Sequence, residues 1–317
     1  MASNLPEILG LGVSTVDELI VLEHHPRINE KQKILSRTRQ CGGLTGSALV
    51  AASRMECRCG YLVALGTGEL SAFLRAHLTS EGIVLFEDDT DAATEPYLAM
   101  ILSEQATGER AVLWDNSRSR VPSIGPAERR LALSARCLFV DHVYATAILD
   151  LVQDARKAGV DVVGDFERIT PDSPELMELT NHIILPLSFA RQLYGRDKAP
   201  GEMAAALAAL PGRALSCITD GANGAWYALG DNPERIIHQP AFLMENVVDT
   251  TGCGDVFHGV YMSGIVRGIS PAECIRRAAA AAALKTRIQG AQAGAPTFLE
   301  LEEFLSVRSM EKRNNNN

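Results

Sequence analysis

The chain has 317 residues, 46% of them hydrophobic, and 30 Lys and Arg against 39 Asp and Glu give a net charge of -9. That length can bury a substantial core in one large α/β domain or two small ones. The acidic balance, without any lysine- or arginine-rich run, argues against nucleic acid or an anionic membrane surface as a partner.

The N-terminus MASNLPEILG lacks the basic, apolar, small-residue order of an export signal, and no stretch of about 18 uncharged apolar residues follows it, so a cytoplasmic setting is expected. The seven cysteines are mostly embedded in apolar segments and include no C-x-x-C pair, which reads as core thiols. Cys57 and Cys59 flank Arg58, but no second Cys/His pair stands at zinc spacing.

Residues 7–11 read as a buried strand running into glycines. Thr15 stands where a dinucleotide fingerprint begun at Gly10 and Gly12 would need its third glycine, so that reading fails. Asp17 follows; by spacing alone it is as well explained as a solvated turn acid as by a role in a site. Residues 18–22 and 32–37 alternate imperfectly around HHPRINE, as a small two-stranded flap would, with His24 and His25 as surface loop residues. Next, Cys41-Gly42-Gly43-Leu44-Thr45-Gly46-Ser47-Ala48 leads into a helix whose apolar positions repeat at three and four.

A strand at 61–65, a helix at 70–78 and a strand at 82–86 set a β-α-β rhythm. Residues 96–102 and 110–114 read as a hairpin around ATGE, beside the flap, with Arg110 either an exposed strand charge or part of a site. The alternation resumes with strands at 138–140, 160–164, 182–185 and 215–219 and helices at 148–158 and 192–210, which predicts a mostly parallel sheet covered on both faces. Asp165 and Glu167 close one of these strands at its carboxyl end, where open α/β sheets place ligands, and are candidate acids for metal-bound water. Thr219-Asp220-Gly221-Ala222-Asn223-Gly224 has the composition of a hairpin turn, and a long alanine-rich helix is expected over 271–287.

The most informative stretch is 247–261, VVDTTGCGDVFHGVY. Gly252 and Gly254 are expected to take positive φ, letting the N–H groups of Gly252, Cys253 and Gly254 converge on an anion. The following helix would add about half a positive charge at its start. Asp255 then either caps the helix or acts on the ligand.

Asp249, Thr250, Thr251, Gly252, Gly254, Asp255 and Phe257 together closely resemble the C-terminal signature of the PfkB, or ribokinase-like, sugar kinases. The resemblance runs from Ile8 to about Leu305. It implies a ribokinase-like three-layer α/β/α domain over 1–313 with a mostly parallel central sheet. It also implies a small β-sheet lid from about 16–40 and 94–115, with 314–317 left as a disordered asparagine tail. The activity implied is ATP-dependent phosphoryl transfer to a sugar hydroxyl, with Asp255 as general base and the Gly252, Cys253 and Gly254 amides as anion hole. ATP and Mg2+ are the implied cofactors, with a monovalent cation such as K+ beside the closing loop 290–297, and the lid is expected to join a homodimer.

By the same resemblance, Asp17 holds substrate hydroxyls, and Gly42 and Gly43 bring backbone to the sugar. Thr219, Gly221, Gly224 and Thr251 embrace nucleotide phosphates. The string TGERAVLWDNS is similar to the ketohexokinase-like branch, which places Arg110 near the transferred phosphate. Two positions depart from the pattern. Ser47 replaces an asparagine that bonds the sugar, and Pro186-Leu187-Ser188-Phe189 replaces the N-x-x-E that orders Mg2+ waters, which passes that work to Asp165 or Glu167. His258, one turn beyond Asp255, is an alternative base. A nucleoside kinase of the same fold, or a catalytically weak sugar- or nucleotide-binding pseudokinase, are the competing readings.

Overall fold

A computed structural model describes residues 5–88, 91–107 and 109–315, with side chains as far as Ser309. The first part of the chain lays down β1 (Ile8–Leu11), β2 (Thr15–Leu22), β3 (Ser36–Gly42), α1 (Leu44–Arg54), β4 (Cys59–Val63), α2 (Glu69–Ser80), β5 (Val84–Glu87), β6 (Tyr97–Glu104), β7 (Arg110–Asp115), α3 (Pro126–Ser134) and β8 (Cys137–Asp141). It continues with α4 (Ala145–Lys157), β9 (Asp161–Asp165), α5 (Ser173–Leu179), β10 (His182–Pro186), α6 (Leu187–Tyr194), α7 (Pro200–Ala208), β11 (Leu215–Thr219), β12 (Ala225–Leu229), β13 (Asn232–Gln239), α8 (Cys253–Val266), α9 (Pro271–Lys285) and α10 (Phe298–Asn315).

Among the described residues, nine strands form one sheet in the order β13-β12-β11-β10-β9-β8-β1-β4-β5. Every pairing from β5 to β11 is parallel, and β12 and β13 add an antiparallel edge. β1, β4 and β8 are buried at every position. Strands covered on both faces read as continuous apolar runs, which is why the sequence pattern located them. One face carries α1, α2, α8, α9 and α10 through Leu49, Leu74, Val260, Ala281 and Leu301. The other carries α4 to α7 through Leu151, Leu176, Phe189 and Met203. Truncating Leu49 or Leu151, both essentially without exposed surface, is expected to cost about 3 kcal/mol through lost transfer energy and the cavity left.

Four more strands form the lid sheet, in the order β3-β2-β6-β7. It is mixed: β2 runs antiparallel to β3 but parallel to β6, which pairs antiparallel with β7. The second lid strand lies at Ser36–Gly42, later than the 32–37 read from alternation. Arg37 and Arg39 in β3 donate to the buried Glu18 of β2 at 2.8 and 2.6 Å, so its polar residues are paired side chains and no apolar alternation marks the strand. The preceding turn is closed by Glu30, which accepts from His24 and from the Arg27 amide at 2.8 and 2.9 Å.

Two further expectations change. The helix read over 192–210 is two helices, because Gly195 takes φ 84 and Pro200 opens α7 at its first turn, where a missing N–H costs nothing. The asparagine run expected as a tail is helical as far as Asn315, and residues 316–317 lie outside the described ones. All seven cysteines are free thiols and six are buried. Among the described residues no group of three His, Cys, Asp or Glu is arranged to hold a metal, and no helix is long and apolar enough to cross a membrane.

Candidate active site

The parallel strands end on one edge of the sheet, and α1 and α8 begin there, packed against each other. Gly259 permits that approach: a Cβ would lie 2.2 Å from the Ala48 carbonyl oxygen. The loop before α8 is fixed by Asp249. Its Oδ1 accepts from the Thr251 amide at 2.9 Å and the Thr251 hydroxyl at 2.7 Å, and its Oδ2 accepts from the Gly290 amide at 2.8 Å. Gly252 follows at φ 77, and a Cβ there would strike the Ala291 oxygen at 2.5 Å. Gly254, expected to share this conformation, lies instead within the first turn of α8 and faces open space. The Cys253 thiol turns back to donate to Ala282 O at 3.4 Å, burial pushes it up to about 11, and its amide, expected to meet an anion, donates instead to Thr250 O at 3.2 Å.

Asp255 sits in the first turn of α8, half-buried, at the edge where the parallel strands end. Burial, then the charges of Glu167 and Asp141, push its carboxyl well above the usual carboxylate range, while a hydrogen bond from Ser47 lowers it. Ser47, expected to reach the substrate, is fully buried. Its hydroxyl serves Asp255 and accepts from Gln292 Nε2 at 3.3 Å, leaving no surface for a ligand.

Asp17 projects from β2 into the space left by Gly42, where a Cβ would lie 2.2 Å from its Oδ2. Thr15 donates to it at 2.5 Å, and burial raises it to about 6. Gly43 takes φ 85 because a Cβ would meet Ser14 Cα at 2.6 Å. Gly42 is therefore dictated first by Asp17, and Gly43 by the close approach of the backbone at Val13, Ser14 and Thr15.

Asp165 and Glu167 part company. Asp165 is buried with its Oδ2 3.4 Å from His258 Nδ1, and burial, Asp255 and Glu167 push it well above its ordinary range. Glu167 has exposed surface; burial of part of its carboxyl raises it, and the charge of Arg168 offsets some of that rise. His258 is itself sealed, 2.9 Å from Gly254 O and 3.2 Å from Ile184 O, and burial lowers it to about 4. An imidazole kept neutral and closed off from the concavity is a packing group.

Arg110, on β7, donates to the Thr251 hydroxyl and lies 3.9 Å from Asp249 Oδ1, so the lid touches the loop before α8. A second lid contact places the Arg168 guanidinium 5.5 Å from the Trp114 ring centre. The loop 219–224 lies at the end of β11 on the same edge. Gly221 there is open, whereas Gly224 is buried and a Cβ would strike Gln239 O at 2.2 Å. Thr219 makes a long 3.5 Å bond to Leu185 O.

Three residues that sequence reasoning passed over hold this arrangement. Asp141, at the end of β8, accepts from Val13 N at 2.6 Å, Thr45 Oγ1 at 2.8 Å and Val143 N at 2.9 Å, with burial raising it to about 6. Gln292 joins Ser47 to His77, at 3.3 and 2.7 Å. Lys285 donates to Asp249 O at 2.9 Å. An acid closing the apolar run CLFVD, and a lysine ending AAAAAALK, were the available signals.

Residues 13–298 match the model of the pfkB family carbohydrate kinases. The chain belongs to the pfkB family. It is 26% identical over 300 residues to the ribokinase of Haemophilus influenzae, covering 93% of this chain and 97% of that one. It is 21% identical over 294 residues to the ketohexokinase of Mus musculus, covering 90% and 97%. The Arabidopsis thaliana ribokinase solved with ribose and ATP superposes with a TM-score of 0.83 at 20% identity, over 95% of this chain and 99% of that one. The pfkB chain thus has the ribokinase-like fold, a large mostly parallel sheet with helices on both faces and a smaller second sheet.

Proposed function

We propose that this pfkB kinase transfers the terminal phosphoryl group of ATP to a hydroxyl of a sugar, with Asp255 as general base. The observation that carries the reading is the placement of Asp255 in the first turn of α8, just after the left-handed turn at Gly252 and only half-buried. Asp17 acts on the same carboxyl from the lid side, so a polyol held by Asp17 would present a hydroxyl toward Asp255. Phosphoryl transfer asks for positioning and charge neutralisation more than covalent chemistry. A carboxyl pushed upward is a stronger proton acceptor than an ordinary one, and such a base contributes about 10²- to 10⁴-fold. Each well-placed amide, of Gly252 or of Gly254, adds about 3 kcal/mol when it meets developing oxyanion charge.

The nucleotide would lie along Thr219, Gly221 and Thr251, with Arg110 brought by the lid toward its phosphates. Mg2+ supplies charge neutralisation on those phosphates when bound. Of the two acids expected to meet its waters, Glu167 has exposed surface and Asp165 does not. Lid and body act as one catalytic unit. The apolar side chains that the lid leaves exposed, Met100, Val112 and Trp114, support a homodimer joined there, and the seven free thiols suit a cytoplasmic setting.

The test is a coupled ADP-release assay over ketoses, aldoses, sugar acids and nucleosides, run with the wild type and Asp255→Asn. Turnover on a sugar, lost by at least about 10²-fold in the variant, is the expected result. No turnover on any sugar, or full turnover by the variant, defeats the proposal.

A further inference from the structure

Lys285, at the end of α9, has no exposed surface. Its Nζ donates to the backbone oxygen of Asp249 at 2.9 Å and lies 3.7 Å from the Asp249 Oδ2. The remaining capacity of that carboxylate is taken: Oδ1 by the Thr251 amide and hydroxyl, Oδ2 by the Gly290 amide. A carboxylate has about four acceptor positions; three here take hydrogen bonds, and the Lys285 ammonium stands 3.7 Å from Oδ2. The loop so fixed continues at once into Gly252, packed on Ala291, and into the amides that open α8.

A K+ ion beside the closing loop, which the sequence resemblance implies, does not fit this arrangement. The oxygens that would coordinate it at Asp249 already face an ammonium group. A further cation brought to them would be crowded against the Lys285 ammonium, which has no exposed surface, and against the Arg110 guanidinium, 3.9 Å from Asp249 Oδ1, and like charges at that range repel.

We infer that Lys285 is a built-in monovalent cation: its ammonium group orders the Asp249–Gly252 loop, so nucleotide binding and turnover need no K+. Lys285 touches neither phosphate nor sugar in this role; it is a positioning residue acting through Asp249. The inference rests on the reading of that loop as the phosphate site. It differs from a purely structural role in one respect, since a small free cation admitted to the space left by a truncated side chain would restore what the lysine did.

The experiment compares KCl with tetramethylammonium chloride at equal ionic strength, reading Mg-ATP binding by calorimetry and, on a sugar that is turned over, ADP release. The wild type should change by less than about twofold in either readout. Lys285→Ala should bind Mg-ATP about tenfold more weakly in tetramethylammonium, with K+ or methylammonium restoring most of the loss. Stimulation of the wild type by K+ of more than about fivefold, or a folded Lys285→Ala that neither cation restores, overturns the inference. The wild-type arm decides the matter alone if Lys285→Ala melts at the assay temperature. A wild type that binds Mg-ATP without K+ yet phosphorylates no sugar would sink the kinase reading and leave this one supported.

Discussion

Arg110 of the lid donates a hydrogen bond to the hydroxyl of Thr251, 141 residues away along the chain and one position before the left-handed turn that opens α8. Asp249 holds the other side of that hydroxyl, which donates to its Oδ1 at 2.7 Å. The lid therefore rests on a residue whose orientation is already set by the loop.

Because the Arg110 side chain is about half exposed, its contact adds under about 1 kcal/mol to folding. Its removal should act on lid closure instead. Arg110→Met is expected to lower kcat/KM by about tenfold, to raise ATP hydrolysis relative to sugar phosphorylation as water gains access, and to leave Tm within about 2 °C. Unchanged coupling of hydrolysis to phosphorylation would show that the lid closes without this residue.

Asp255 gives a pH signature of known sign. Its carboxyl is raised in the folded protein, mainly by burial, so it holds its proton over a pH range in which the unfolded chain has lost it. The folded state then loses stability as pH rises from about 4, the ordinary aspartate value, through the folded-state value. Asp255→Asn should melt above the wild type at pH 8, with the gap closing toward pH 4. In the same range, wild-type kcat/KM should rise with pH along one ionisation. A variant that melts below the wild type at pH 8 would remove the crowding argument.

The two glycines of the loop should respond oppositely to alanine. Gly252→Ala forces a side chain into a left-handed conformation, at about 1–2 kcal/mol, and against the Ala291 backbone, so both stability and nucleotide binding should fall. Gly254→Ala lies in a helix with room for a methyl and should gain about 0.5–1 kcal/mol, while the methyl beside the anion site lowers turnover. Melting curves and ATP titrations on the pair separate these outcomes.

His258 should prove dispensable for chemistry. Its folded value near 4 lies below the ordinary imidazole value, so the wild type loses stability as pH falls through that interval. His258→Asn should keep turnover within about fivefold, and should lose less stability than the wild type between pH 7 and pH 5. A turnover loss as large as that of Asp255→Asn would restore the histidine as a candidate base.

The sheet and the α8 loop were legible because their signals are local. Strands buried on both faces are continuous apolar runs, and the Asp249 to Asp255 string encodes its turn in consecutive residues. What escaped depends on pairings across long separations. In the sequence Ser47 reads as a shortened substrate ligand, but Asp255 and Gln292 take up its hydroxyl. Asp141 serves Val13, 128 residues before it, and Lys285 serves Asp249, 36 residues before it. No periodicity announces either contact. β3 was misplaced for the same reason, since its arginines make sense only beside Glu18.

The position of β1 inside the sheet bears on how the molecule is made. Synthesised first, it hydrogen-bonds on one side to β4 and on the other to β8. At about 5–20 residues per second, the strand waits on the order of ten seconds before its second neighbour leaves the ribosome. The helix bearing Asp255 follows later still, and packs on α1, which was made near the start. A chain halted midway has Asp17 and the lid but neither Asp255 nor the loop before α8, so on the proposed reading a stalled product is inert. Refolding of the full chain should be slow for its size, because so many of its contacts join distant segments.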